Sequence, residues 1–217
     1  MLGKSIGKNS IILGVFAFVA AAGLALTHLG TKDRIADAER AAKQKALFEI
    51  IPRDQMDNDL LEDTIDVPDS GFVALGLKDK QPIYIARRNN LVSAVIIPAV
   101  AHDGYSGDIW LIVGVNRDGT IAGVRAISHK ETPGLGDKVD IKKSNWILNF
   151  NGKSLVFPVS SQWLVKKDGG IFDQFAGATV TPRAVVKKIK QVLEFTQAHP
   201  ELFETAATKS STGEDHE

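Results

Sequence analysis

The residues able to do chemistry concentrate in two short stretches. The first is Asp173-Gln174-Phe175-Ala176-Gly177-Ala178-Thr179-Val180-Thr181-Pro182, which runs straight into an amphipathic helix. Gly177 and Ala178 carry almost no side chain, so a bulky group can approach the backbone there. Thr179 follows with a hydroxyl, and the helix N-terminus beside it offers partial positive charge and free N–H groups that suit a phosphate. The stretch reads as an exposed hydroxyl next to a phosphate-friendly helix end. Gly-Ala-Thr before a helix is also the make-up of an ordinary tight turn and cap, and local pattern leaves both uses open.

The second stretch is His129-Lys130-Glu131-Thr132-Pro133-Gly134-Leu135-Gly136. A titratable pair is followed by Pro-Gly and a second glycine around one leucine. As a ligand-binding lip it would offer Glu131 and Thr132 as hydrogen-bonding groups and Leu135 as an apolar surface. As a solvated turn after a strand it would do nothing more. His129 has the chemistry of a proton donor, although a lone histidine at a strand end is most often a satisfied polar residue. Asp103-Gly104-Tyr105-Ser106-Gly107 is another flexible turn, whose composition leaves open both a plain connection and a place for a partner or ligand.

The elements that must position these stretches follow from periodicity. Thr181 is expected to cap the C-terminal helix, with Pro182 at its first position, where a missing N–H is harmless. Val185, Val186, Ile189, Val192 and Leu193 recur at helical spacing, with Arg183, Lys187, Lys188 and Lys190 placed largely on the other side; the helix runs to about Ala198, before Pro200. Short runs rich in Val, Ile and aromatics predict strands at Phe72–Leu77, Ile83–Ala86, Leu91–Val100, Ile109–Val115 and Ile121–Ile127. Further short strands are expected at Leu155–Val159 and Trp163–Val165, with a partly helical connection over Lys138–Trp146 and a turn at Asp168-Gly169-Gly170. Asn116-Arg117-Asp118-Gly119 is a hairpin turn. Strands joined by such short turns give a mostly antiparallel sheet. The fold class is α+β, a single transmembrane helix followed by one soluble domain with flanking helices.

Ile11 to Leu29 carries no formal charge. As a helix that run reaches about 28 Å, close to the roughly 30 Å of a bilayer's hydrocarbon core. A secretory leader would share the basic start, and Gly23-Leu24-Ala25 resembles a cleavage site, but the apolar run exceeds the ~7–15 residues of such a leader's centre. An uncleaved anchor is the preferred reading. The domains are then a short N-terminus over 1–9, a transmembrane helix over 10–29, a soluble domain over 30–204 and a disordered tail over 205–217. Within the soluble part, 32–51 is a helix closed by Pro52, continuing from the span, and Arg53–Ser70 is loop. Lys4 and Lys8 precede the span, while Lys32, Arg34, Arg40, Lys43 and Lys45 follow it, so charge leaves the orientation open.

Composition narrows the classes. Lys plus Arg is 26 and Asp plus Glu is 26, a net charge of zero without the basic footprint of a nucleic-acid binder. The chain has no cysteine, which excludes disulfides, iron–sulfur ligation and thiolate zinc sites. Histidines 28, 102, 129, 199 and 216 form no recognisable metal spacing. No nicotinamide-binding Gly-rich βα fingerprint is present, which argues against a stand-alone flavin reductase.

The N-terminal span, the 129–136 stretch and Ala176-Gly177-Ala178-Thr179 before the last helix together resemble the G subunit of the Rnf (Rsx) electron-transport complex. A more distant likeness is to the C subunit of sodium-pumping NADH:quinone oxidoreductase. The resemblance covers residue 11 to about 200. It implies FMN joined through its phosphate to Thr179, with Asp173 as the upstream acid and Gly177 and Ala178 as small neighbours. A dedicated flavin transferase would make the bond from FAD, with Thr179 Oγ displacing AMP. The ring would rest against Glu131, Thr132 and Leu135. Ala176 departs from the family's Ser/Thr, which bears on transferase recognition rather than on the attachment itself. Thr181 is a second hydroxyl that sequence leaves open; Thr179 is preferred because Thr181 is assigned to capping. The resemblance also implies a bacterial inner-membrane protein with a periplasmic domain. It would be an electron-carrying subunit working with the other complex subunits between ferredoxin- and NAD-linked partners, coupled to sodium or proton movement. The alternative is a membrane-anchored assembly or binding module without a redox cofactor.

Overall fold

The computed structural model describes residues 2–204, so the expected tail over 205–217 lies outside the described residues. The first element is one 49-residue helix, α1 (Leu2–Ile50), with no break between the apolar span and the polar segment after it. Its stretch Ser10–Ile35 has a mean hydropathy of 2.3 and is long and apolar enough to cross a membrane. Two compact units divide within this helix, Met1–Lys43 and Gln44–Glu217.

The second unit is built on a five-stranded antiparallel meander, β1 (Thr64–Asp66), β2 (Pro82–Arg88), β3 (Leu91–Ala101), β4 (Ile109–Asn116) and β5 (Ile121–Ser128). The β2–β3 connection is a two-residue turn, with Asn89 and Asn90 at φ 53° and 62°. Both central residues of a type I′ turn need positive φ, and asparagine tolerates it. β1 is a strand inside the segment expected to be loop, and it pairs with β2 through Thr64–Tyr84 and Ile65–Ile83.

Each face of the sheet is covered by a helix. The C-terminal helix, Val180–Ala198, buries Val185, Val186, Ile189, Val192 and Leu193 in one core with Val95, Ile97, Val113 and Val124 of the sheet. It is α3, since a single helical turn at Phe72–Leu75, α2, precedes it in the chain. Lys188, placed by spacing on the polar side, is buried as well, and its Nζ donates to the Ala74 carbonyl at 2.9 Å. The opposite face takes Leu47, Ile50 and Ile51, packed against Tyr84, Ala86, Ala94, Ile96 and Ile112. Ile50 needs a slot in the sheet. Gly114 and Gly123 are paired across β4 and β5, and a Cβ on Gly114 would lie 2.3 Å from Ile50 Cγ2. Arg125 fixes the helix end laterally, donating from Nε to Glu49 Oε2 at 2.9 Å.

Three expected strands are not strands. Phe72–Leu75 is the helical turn α2, closed by Gly76 at φ 70°. Its inward residues are spaced as on a helix, with Leu75 buried and Phe72 packed on the core while Val73 is 92% exposed. Leu155–Val159 and Trp163–Val165 form turns, in which only Val165 makes an isolated bridge, to Phe172. The apolar run misleads there because Val156, Phe157 and Val159 face solvent rather than a core. What organises that region is an aromatic nest of Phe150, Trp163 and Phe172, with Phe150 stacked on Phe172 at 4.6 Å and on Trp163 at 6.2 Å.

Candidate functional site

The Gly-Ala-Thr segment stands on that aromatic nest. Phe175 is buried edge-on to Trp146 at 5.0 Å, and the Trp146 indole N–H donates to the Asp173 carbonyl at 2.8 Å. Above this anchor the chain reverses, the Ala178 N–H donating to the Phe175 carbonyl at 3.1 Å. Gly177 sits at φ 77° in the reversal, a conformation costly for any residue with a Cβ. Asp168 fastens the preceding loop to α3 by accepting twice from Arg183, at 2.6 and 2.8 Å. The hydrogen bond from that guanidinium holds the Asp168 carboxyl below its ordinary value of 3.8.

Helix α3 begins at Val180, ahead of the Pro182 start that spacing indicates. Thr179 occupies the N-cap position, and its hydroxyl makes no cap bond. Thr181, expected as the cap, lies inside the first turn with 0% exposure, and its hydroxyl donates to Glu131 Oε2. Pro182 is therefore the third helical residue, not the first; its absent N–H still loses nothing, because no helical carbonyl stands one turn behind it.

The opposite wall is the loop leaving β5. Its backbone wraps around the Thr132 carbonyl, which accepts from the Leu135 and Gly136 N–H groups at 3.1 Å each. Glu131, only 4% exposed, is the piece that joins the walls. Its Oε1 accepts the Ser106 N–H at 3.0 Å, its Oε2 takes the Thr181 hydroxyl, and its own N–H donates to His129 Nδ1 at 3.2 Å. One carboxylate thus holds the 102–108 turn, the 129–136 loop and the start of α3. Gly136 permits this closeness, since a Cβ there would lie 2.7 Å from Glu131 Oε2 and 2.8 Å from Thr181 Oγ1.

Between these walls lies a cavity of about 270 Å³. Glu131, Thr132, Leu135, Gly177, Ala178 and Thr179, the residues singled out from sequence, all line it. Asp173 does not; its carboxylate is exposed and pairs with Lys166 at 2.6 Å. The hydroxyls of Thr132 and Thr179 make no hydrogen bond among the described residues, whereas Thr181 and Glu131 are committed to each other. Leu135 turns a 41% exposed apolar side chain to the opening. Tyr105 lines the same cavity; sequence pointed to its turn as a place for a partner or ligand without naming Tyr105 itself as a site residue. The available signal was an aromatic set between two glycines in the 103–107 turn.

An FMN-binding domain matches residues 104–194, and an RnfG N-terminal region matches residues 1–50. The chain is 48% identical to the G subunit of the ion-translocating oxidoreductase complex of Pseudomonas aeruginosa (strain UCBPP-PA14), over 91% of this chain and 92% of the relative. The corresponding subunit from Vibrio atlanticus (strain LGP32) is 47% identical over 88% of this chain and 90% of the relative. That from Aliivibrio fischeri (strain ATCC 700601 / ES114) is 43% identical over 94% of this chain and 97% of the relative. The chain belongs to the G-subunit family of ion-translocating oxidoreductase complexes. In this chain the residues matched by the FMN-binding domain include the whole lining of the cavity, from the 104–107 turn through the 129–136 loop to the first turn of α3.

The residues present fit an FMN. Thr179 places an uncommitted hydroxyl at the mouth of α3, where the first N–H groups have no carbonyl one turn back and can meet phosphate oxygens. Leu135 and the bare backbone at Gly177 and Ala178 leave an apolar, unhindered face beside it.

Proposed function

We propose that this chain carries FMN as a phosphoester on Thr179 and relays electrons between partner subunits of a membrane-bound, ion-translocating oxidoreductase. The observation that supports it is the contrast between two hydroxyls. Thr179 lies at the cavity with a free Oγ, while Thr181 is buried and spent on Glu131. Thr179 Oγ forms the new bond to the flavin-side phosphorus of FAD. The P–O bond to AMP breaks, AMP departs, and the hydroxyl proton passes to a base of the flavin transferase. The small, exposed Ala176 and Gly177 leave the transferase room to reach that oxygen.

Bound there, FMN supplies one- and two-electron redox chemistry, while the chain supplies position and electrostatics. The α3 N-terminus stabilises the phosphodiester charge. Thr132 and Leu135 face the ring system, and Glu131 keeps the walls at a fixed separation. The span within Ser10–Ile35 anchors the chain in the inner membrane, with 1–9 cytoplasmic, 10–29 in the bilayer and 30–204 periplasmic.

The test is chain made together with its flavin transferase and run on a denaturing gel. Wild type and Thr181→Val give a fluorescent band, and Thr179→Ala gives none. A band that persists in Thr179→Ala moves the attachment elsewhere, and a dark wild-type band defeats the reading.

A further inference from the structure

The 102–108 turn is held more firmly than an ordinary surface loop, and it carries a large aromatic side chain outward. Ser106 is tied to Glu131 by its N–H at 3.0 Å, and Asp103 accepts from Lys187 of α3 at 2.7 Å. Burial acts to raise the Asp103 carboxyl, but the Lys187 hydrogen bond and its own backbone N–H outweigh it, so the group stays below its ordinary value. His102 closes the loop on Asp108 at 2.7 Å, and its other ring nitrogen meets the Gly76 carbonyl at 3.0 Å. Between these fixed points Tyr105 is 72% exposed, and its hydroxyl makes no hydrogen bond among the described residues. Folding therefore holds an aromatic ring over water with no intramolecular return. Tyr105 is one of the residues lining the same cavity as Thr179 and Leu135.

Resting on the reading of Thr179 as the flavin's tether, we propose that Tyr105 is the aromatic wall against which the isoalloxazine ring packs, opposite Leu135. A planar ring held between an aromatic face and an apolar side chain gains contact on both sides. A phenol in contact also leaves an optical mark. It gives an electron to the excited ring and takes it back before a photon leaves, so emission is quenched.

The experiment uses the full chain, flavinylated and kept in detergent. The denaturing-gel band reports attachment, and flavin emission and visible circular dichroism of the folded sample report packing. Wild type is expected to brighten several-fold when unfolded. Tyr105→Phe keeps the visible circular dichroism but brightens the folded sample, because the electron donor is gone while the ring remains. Tyr105→Leu brightens it equally and also weakens the circular dichroism. Folded emission unchanged in both variants, with the gel band intact, overturns the proposal and leaves the tether standing. Loss of the wild-type band sinks the tether itself.

Discussion

At the scale of single residues, the informative pair is Thr179 and Thr181. Both carry a hydroxyl near the same helix mouth, and the difference between them is entirely one of partners. Thr181 is fully buried against the Glu131 carboxylate, so replacing it with valine keeps the volume but leaves Glu131 Oε2 buried without its donor. Such an orphaned group costs about 1–3 kcal/mol. Thr181→Val is therefore expected to lower the unfolding free energy by about that amount in urea titrations followed by tryptophan emission, with Thr181→Ser close to wild type. A valine variant as stable as wild type would remove Glu131 from its role as the clasp. Thr179 has no such structural duty, and its substitution should leave the urea midpoint unmoved.

Elements show where periodicity is a sound guide and where it is not. Strands β2 to β5 and helix α3 are legible because alternating or helically spaced apolar residues there do face a core. Phe72–Leu75 buries its apolar residues at helical spacing, and Val156, Phe157 and Val159 turn to solvent, so in both places composition imitates a strand that the burial does not support. The sheet's two glycines illustrate the reverse case, since isolated glycines in a strand weaken it unless something must approach closely. Here that something is Ile50 of α1, packed over Gly114 and Gly123. Gly114→Ala is predicted to destabilise by about 1–3 kcal/mol through overpacking. Pairing it with Ile50→Leu, which removes the Cγ2 methyl in the way, should recover part of the loss in thermal melts, and full additivity would argue against the contact.

For the whole molecule, the division at residues 43 and 44 has a physical consequence. Leu47, Ile50 and Ile51 belong to the second unit and, together with Met56 and Leu60, cover one face of its sheet. Removing residues 1–43 should leave a soluble fragment that melts cooperatively. Removing residues 1–51 uncovers Tyr84, Ala86, Ala94, Ile96 and Ile112 and should aggregate on size-exclusion chromatography. If the shorter fragment stayed monomeric and folded, the helix end would not be part of the core.

The sequence alone determined what local rules govern: an apolar run of bilayer length, strand and helix periods, glycine where the backbone reverses at 177, and the order of motifs that marks the family. It also singled out Glu131, Thr132, Leu135, Gly177, Ala178 and Thr179, which the fold brings to one cavity. Only the tertiary structure decided which threonine is free, because Thr181 is claimed by Glu131, fifty positions away in the chain. It decided too that Tyr105 joins the cavity and that Lys188 is buried. Spacing along a chain describes which side of an element a residue occupies, whereas a hydrogen bond or a buried face depends on what a distant segment brings to meet it.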